Sequence, residues 1–171
     1  IDFRVVTPDR LAKSLSADIT FSEDIEDKEV LGEKLLDLVE HLGSRLRKKE
    51  IKAAVIEVKL RSSDFETRSV SKSLLEPMNE TMLLWGEAKA LLQKLLKFDL
   101  LPARLISVSA VRLVRPGEIQ GGLFDTKIIK KQGEIDRTLD AIKAKFGSES
   151  IGRGVFLTSD DKKSKKEQKE H

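Results

Sequence analysis

Hydrophobic and polar positions alternate with a period of two in several segments of the chain, which predicts β-strands. The first of these covers residues 13–21, where one side of the alternation is apolar and the other polar. The apolar side is Leu15, Ala17, Ile19 and Phe21, and the polar side is Ser14, Ser16, Asp18 and Thr20. Further strands are predicted over residues 51–61, 65–74 and 103–114, with a turn at residues 62–64.

Between these strands, leucines recur at three- and four-residue spacing and predict amphipathic helices. The first helix runs to about Lys49 behind Asp27 as its cap, and the second covers about residues 80–97 with Asn79 as its cap. A third, over residues 134–146, carries an apolar stripe and ends at Gly147. The stripe consists of Ile135, Leu139, Ile142 and Phe146. Residues 151–157 are predicted to form a short strand or an extended segment.

The order β-α-β-β-α-β predicts an α+β fold: a four-stranded, mainly antiparallel sheet with two helices on one face, followed by a helical C-terminal tail. The outward faces of the first, second and fourth strands would carry short hydroxyls and cations. These are Ser14, Ser16, Thr20, Lys59, Arg61, Ser107 and Ser109. Small donors let a phosphate backbone approach closely, and the cations supply charge.

The alternation along the third strand does not show which of its sides faces outward. Its hydroxyl positions share one parity, but Phe65 shares it too, and the opposite parity mixes charged with apolar side chains. The hydroxyl positions are Thr67, Ser69, Ser71 and Ser73, and the mixed ones are Arg68, Val70, Lys72 and Leu74. An edge strand or a bulge would explain the mixture, and either face would suit DNA.

The net charge of +3 misleads, because residues 162–171 hold five Lys and two Glu and so account for all of it. The segregation along the chain is more informative: residues 18–40 contain nine acidic and two basic side chains, whereas residues 45–72 contain nine basic and four acidic ones. A neutral domain with one positive side can still bind a polyanion through that side.

The composition excludes several classes of function. The chain has no Cys, so disulfide frameworks and Cys-based zinc sites are excluded and a cytoplasmic setting is expected. No apolar run is long enough to span a membrane. The chain begins at Ile1 without a leader, and we interpret it as a piece of a longer protein. No Ser-His-Asp set or glycine-rich phosphate loop stands out, and the acidic run at residues 23–27 is interpreted as a turn and helix cap. We expect no catalytic or metal-binding residues in this chain.

Three motifs in order resemble the C-terminal third of Y-family (DinB/UmuC-type, DNA polymerase IV-like) translesion DNA polymerases. KSLSADITF at residues 13–21 is similar to the family's K-S-I-G-x-E-x-T-F, and RLISVS at residues 104–109 to R-L-I-G-V-S. DFETRSVSKSL at residues 64–74 is similar to D-F-x-T-x-T-R-S-K-T-L, with Lys72 and Ser73 at its phosphate-contacting end. The arginine of this family pattern is missing from the segment, which should weaken the grip on DNA, and Arg68 could compensate in part.

The resemblance implies a little-finger domain that grips template–primer duplex and performs no chemistry. The DNA contacts it implies are Lys13, Ser14, Ser16, Thr20, Lys59, Arg61, Thr67, Arg68, Ser69, Ser71, Lys72, Ser73, Ser107 and Ser109. The parent's catalytic carboxylates, which hold Mg²⁺, would lie in an N-terminal palm outside this chain, so no cofactor is expected here. The implied partners are DNA, the sliding clamp and the parent's own catalytic core.

QGGLF at residues 120–124 resembles the bacterial sliding-clamp peptide Q-x-x-L-F. Gln120 would bond the clamp's backbone, and Leu123 and Phe124 would fill an apolar cleft. The domain organisation is then a linker (1–12), the little finger (13–115), the clamp linker (116–126), a helix with an extended segment (127–157) and a Lys-rich tail (158–171). Two alternatives stay open: a protein–protein adaptor acting through the clamp peptide of an inactive polymerase relative, and a generic βαββαβ domain whose sheet face is merely solvated.

Overall fold

The computed structural model describes residues 13–115 and 126–153, and in these ranges the predicted strands and helices follow one another in the predicted order. The elements are β1 (Ser14–Ile25), α1 (Lys28–Lys48), β2 (Lys52–Ser62), β3 (Thr67–Met78), α2 (Thr81–Leu95), β4 (Ala103–Val114), α3 (Thr126–Phe146) and a 3-10 turn (Ser148–Ser150). The chain divides into two compact units, residues 1–136 and 137–171. The sheet and its two covering helices lie in the first.

The sheet has the strand order β1-β4-β2-β3, and all three neighbouring pairs are antiparallel. β1 and β2 therefore run in the same direction with β4 between them, and β3 and β4 likewise with β2 between them. Each of these pairs is joined by a helix, α1 or α2. The α+β prediction is confirmed, with both helices on one face: α1 packs on β1 and β4, and α2 on β2 and β3.

The core lies between that face and the two helices. It is aliphatic: every second side chain of the central strands is fully buried, as are seven leucines of the two helices. From the strands come Ile56, Val58, Leu60, Ile106, Val108 and Ala110, and from the helices Leu31, Leu35, Leu42, Leu46, Leu84, Leu91 and Leu95. Burying a side chain of this size stabilises the fold by about 1.5–3 kcal/mol. This apolar layer leaves the other sheet face without a covering element among the described residues.

Several predicted boundaries differ from the observed ones. β1 continues to Ile25 through most of the acidic run, and Asp27 then caps α1 as predicted, its Oδ1 accepting the Glu29 N–H at 2.7 Å. β3 begins at Thr67 rather than Phe65 and continues to Met78, with a register irregularity near its end. Phe65 belongs to the β2–β3 turn, where its φ is 64°. Its parity therefore says nothing about the faces of β3, which removes the ambiguity met in the sequence.

The prediction that Asn79 caps α2 is wrong. The capping position is Glu80, whose side chain makes no capping hydrogen bond, and the Asn79 amide instead donates to the Ile51 carbonyl at 3.0 Å. The cap comes from a residue distant in sequence: Asp136 Oδ2 accepts the Thr81 N–H at 2.7 Å. We call this contact the Asp136 cap.

Arg47, from the last turn of α1, completes the charge balance around the Asp136 cap. Its Nη1 lies 3.3 Å from Asp136 Oδ2 and donates to the Asn79 carbonyl at 2.7 Å. The two side chains are only 12% and 1% exposed. A Cβ at Gly43 would lie 3.0 Å from both Arg47 Nη1 and Thr81 Oγ1. Glycine at this position therefore makes room for the guanidinium.

The third helix also differs from its prediction. α3 begins at Thr126 rather than at residue 134, and its most deeply buried side chain is Asp136 instead of a member of the predicted apolar stripe. Ile135 is 39% exposed and Phe146 65% exposed. The stripe is therefore not a core face throughout.

The second unit, described up to residue 153, contains the end of α3 and the 3-10 turn after it. Gly147 ends the helix with a φ of 94°, a conformation that glycine adopts without steric cost. Its carbonyl accepts a hydrogen bond from Ser150 Oγ at 2.7 Å. Residues 151–153 form neither helix nor strand. The rest of the predicted 151–157 segment lies outside the described residues.

We expect Asp136→Ala to lower the free energy of unfolding by about 2–4 kcal/mol, because it removes a helix cap and the carboxylate partner of a largely buried arginine. Asp136→Asn keeps an acceptor for the Thr81 N–H and should cost less than Asp136→Ala. Urea denaturation followed by circular dichroism measures both. The matched control is Lys131→Ala at an exposed position of α3; equal losses in the control and in Asp136→Ala would contradict the role of the cap.

Candidate nucleic-acid interface

The face of the sheet opposite the helices, here called the open face, is organised in rows of directly paired residues. Cross-strand partners point to the same face, so the register assigns every side chain once the core face is known. From β1 to β3 the rows are Ser14–Val111–Val55–Ser73, Ser16–Ser109–Glu57–Ser71, Asp18–Ser107–Lys59–Ser69 and Thr20–Leu105–Arg61–Thr67. The open face is therefore built mainly of hydroxyls, with two cations on β2.

Eleven of the predicted DNA contacts lie together on the open face. They are Ser14, Ser16, Thr20, Lys59, Arg61, Thr67, Ser69, Ser71, Ser73, Ser107 and Ser109. Most of the hydroxyls are exposed, but Ser107, at the centre of the face, is only 2% exposed. It lies below the surface formed by its longer neighbours. The hydroxyls of β3, left open in the sequence, belong to this face because Thr67, Ser69 and Ser71 pair with the polar positions of β2.

Two predicted contacts, Arg68 and Lys72, lie on the other side of β3. Their partners on β2 are the core residues Leu60 and Ile56, so both side chains project towards the helices. Lys72 Nζ lies 2.6 Å from Glu87 Oε2 of α2. Arg68 bonds Glu66 at 2.8 Å and stacks on Phe98 at 4.6 Å from the ring centroid. The structure does not bring these two cations together with Lys59 and Arg61.

Lys59 and Arg61 differ from the cations on the helix side in their partners. Arg61 Nε donates to the Thr67 hydroxyl at 2.8 Å, and no carboxylate in the described part of the chain pairs with either side chain. An anion approaching them would not have to displace an internal carboxylate. This leaves the β2 half of the open face available for charge-assisted hydrogen bonds to phosphate.

Two carboxylates, Asp18 and Glu57, share the open face and limit where an anion can lie. Glu57 is flanked by Ser109 on β4 and by Ser71 on β3. Glu57 therefore has no cation directly opposite on either neighbouring strand. The row of Glu57 should repel phosphate, whereas the row of Arg61 and the Lys59 end of the Asp18–Ser107–Lys59–Ser69 row should attract it. The sequence contained this signal, since both carboxylates share the parity of the predicted contacts.

The remaining predicted site residues lie at or beyond the edges of the described ranges. Lys13 is exposed immediately before β1. Gln120, Leu123 and Phe124 fall outside the described residues. Within residues 13–115 and 126–153, no three His, Asp or Glu side chains come together as a metal site, and no helix is long and apolar enough to cross a membrane.

Comparison with known proteins identifies the family of this domain. The C-terminal domain of the impB/mucB/samB family matches residues 12–123. The chain belongs to this family. It is a little-finger domain of the Y-family DNA polymerases, which confirms the resemblance drawn from the three strand motifs.

The curated relatives that match are named as polymerases. DNA polymerase IV of Desulfatibacillum aliphaticivorans is 31% identical over 160 residues, which cover 92% of this chain and 40% of that protein. DNA polymerase IV of Clostridium acetobutylicum is 31% identical over 150 residues, covering 88% of this chain and 37% of the relative. The chain thus spans about two fifths of the length of these relatives.

Among solved structures, a Y-family DNA polymerase chimera of Dbh and Dpo4 resembles this chain with a TM-score of 0.54 and 20% identity. The similarity covers 62% of this chain and 30% of the chimera. At this identity the likeness concerns the fold.

Proposed function

We propose that this domain is the non-catalytic DNA-gripping region of a translesion DNA polymerase, and that its open face holds template–primer duplex through the phosphate backbone. The observation that carries the proposal is the pair Lys59 and Arg61, which project from β2 on a hydroxyl-lined face without a described carboxylate partner. Cations elsewhere in the domain, such as Lys72 and Arg47, are paired with carboxylates.

The chemistry of the open face suits phosphate better than base edges. Its hydroxyls are short, so a backbone can approach the sheet closely, and serine and threonine donate to phosphate oxygens without reading sequence. Two cations add a charge attraction that weakens as salt rises. A grip of this kind holds any duplex, which suits a polymerase that must accept damaged templates.

The enzyme's chemistry belongs, in this proposal, to the part of the parent protein that this chain does not cover. Nucleotidyl transfer needs clustered carboxylates that hold two metal ions at the primer end. The parent would bind Mg²⁺ in its catalytic core, and the little finger would bind DNA beside that core. The chain alone is then a binding module without polymerase activity.

A second function, a protein–protein adaptor, is favoured by one feature of the open face. Glu57 and Asp18 lie on it, and Glu57 has a serine rather than a cation beside it on both neighbouring strands. These side chains reduce its positive charge. In this alternative the face no longer binds DNA, and the clamp peptide at residues 120–124 is the working part of an inactive polymerase relative.

Lys59→Ala and Arg61→Ala should each weaken binding of primer–template DNA without changing sequence preference. Each removes about one phosphate contact, so the slope of log affinity against log salt should fall by about one. Fluorescence anisotropy with labelled primer–template from about 20 to 200 mM salt measures both quantities.

Lys72→Ala is the matched control, because it removes a lysine of the same sheet that is bound to Glu87 on the helix side. The DNA affinity of Lys72→Ala and its salt dependence should stay close to those of the unmodified chain. Equal effects of Lys72→Ala and Lys59→Ala would contradict a grip confined to the open face. Absence of DNA binding at the lowest salt would reject the grip and favour the adaptor.

Glu57→Gln should tighten DNA binding, because it removes a negative charge beside the cations while keeping the size of the side chain. Two unit charges a few ångströms apart at a protein surface interact by roughly 1–4 kcal/mol, so a gain of several-fold at low salt is expected. The same anisotropy titration measures it. The matched control is Glu33→Gln on α1, away from the open face; an unchanged affinity in Glu57→Gln would show that DNA does not pass over this row.

Leu123→Ala combined with Phe124→Ala should abolish binding to a bacterial sliding clamp and leave DNA binding unchanged. The two side chains would occupy an apolar cleft, and the unmodified peptide should bind with an affinity of about micromolar to millimolar. Surface plasmon resonance on immobilised clamp measures the interaction. Retention of clamp binding by the double variant would reject QGGLF as the clamp peptide.

A further inference from the structure

Phe65 occupies a backbone conformation that a bulky residue adopts at a cost. Its φ is 64° in the turn between β2 and β3, the left-handed region in which glycine or asparagine is usual. The ring is 65% exposed, so burial in the core does not compensate for this cost. A large aromatic side chain is therefore displayed at a position where neither the backbone nor the core favours it.

The turn around Phe65 is held in place by several contacts. The Phe65 N–H donates to the Ser62 carbonyl at 3.1 Å, and the Ser63 N–H donates to the Pro102 carbonyl at 2.9 Å. The guanidinium of Arg104 stacks over one face of the ring, 5.1 Å from its centroid. These contacts present the ring on an ordered support and cover only one of its two faces.

The backbone of Phe65 is linked by hydrogen bonds to the cationic end of the open face. Thr67 Oγ1 accepts a hydrogen bond from Arg61 Nε at 2.8 Å and donates to the Phe65 carbonyl at 3.5 Å. The nearby carboxylates do not make this end strongly acidic, because Glu66 is paired with Arg68 at 2.8 Å and Asp24 lies 3.9 Å from Arg104. The exposed ring thus belongs to a turn that is hydrogen-bonded, through Thr67, to a guanidinium that no described carboxylate neutralises.

We propose that Phe65 is a stacking platform for an unpaired nucleobase of the DNA that the open face grips. The ligand that matches an apolar ring beside a cation is a nucleotide with a flat base and an anionic backbone. Bases inside a duplex hide their faces in the stack, so the ring contacts the single-stranded template next to the duplex. The proposal rests on the DNA grip at Lys59 and Arg61 and extends it beyond the paired region.

The test compares two DNA ligands, a blunt duplex and the same duplex with a short single-stranded template extension. Phe65→Gly removes the ring and suits the positive φ, so it should be at least as stable as the unmodified chain in thermal unfolding. It should weaken binding of the extended duplex at least fivefold, because base–aromatic stacking contributes that much or more. Binding of the blunt duplex should not change.

Two further variants make the result specific. Phe98→Ala removes the other ring that lies under an arginine, with 44% of Phe98 exposed, and should leave the preference for the extended duplex intact. Arg61→Ala should weaken binding of both DNA ligands. The stacking platform is rejected, and the grip stands, if Arg61→Ala weakens binding of both DNA ligands while Phe65→Gly weakens binding of neither. The same conclusion follows if Phe65→Gly weakens binding of both ligands equally. If Arg61→Ala weakens neither, the grip itself is rejected. Loss of clamp binding in Phe65→Gly without loss of DNA binding would assign the ring to a protein interface and overturn the proposal.

Discussion

Packing of both helices on one face of the sheet is the constraint on which the other features of this domain depend. Each helix joins two strands of the same direction across an intervening antiparallel strand, so α1 and α2 lie side by side and bury the centre of one face. Since strand side chains alternate between the two faces, every second residue of the four strands is then assigned to a face over which the described part of the chain places no helix. The hydroxyls and the two cations of the open face are a consequence of this alternation.

The alternation also explains how much of the site could be predicted from the sequence. Parity along β1, β2 and β4 predicts the open face correctly, because apolar residues at every second position mark the buried side. Parity does not predict the faces of β3 as long as Phe65 is taken for a strand residue, because Phe65 lies in the turn. Arg68 and Lys72 were assigned to the DNA-binding set through a family motif, and a motif carries no information about which carboxylates a cation meets. Their pairing with Glu66 and Glu87 depends on α2 and on the turn.

Contacts between distant segments could not be predicted from the local sequence pattern. The leucine spacing predicted α1 and α2, yet nothing in the local pattern indicated that a carboxylate from α3 would cap α2. Asn79 is a good capping residue by type, but its amide is used by the Ile51 carbonyl, so local preference was overruled by tertiary structure. The same limit applies to Gly43, whose role is to admit Arg47.

The Asp136 cap has a consequence for the order in which the domain is completed during synthesis. The residue that caps α2 lies 55 positions after the helix residue it contacts, and it lies beyond residue 123, where the match to the family's C-terminal domain ends. Because chains emerge from the ribosome N-terminus first, the whole sheet and both of its helices are available before Asp136 is. During that interval Arg47 has no Asp136 to meet, and the first turn of α2 has no cap. The Asp136 cap can thus form only after synthesis of α3, a segment that contributes no strand to the sheet.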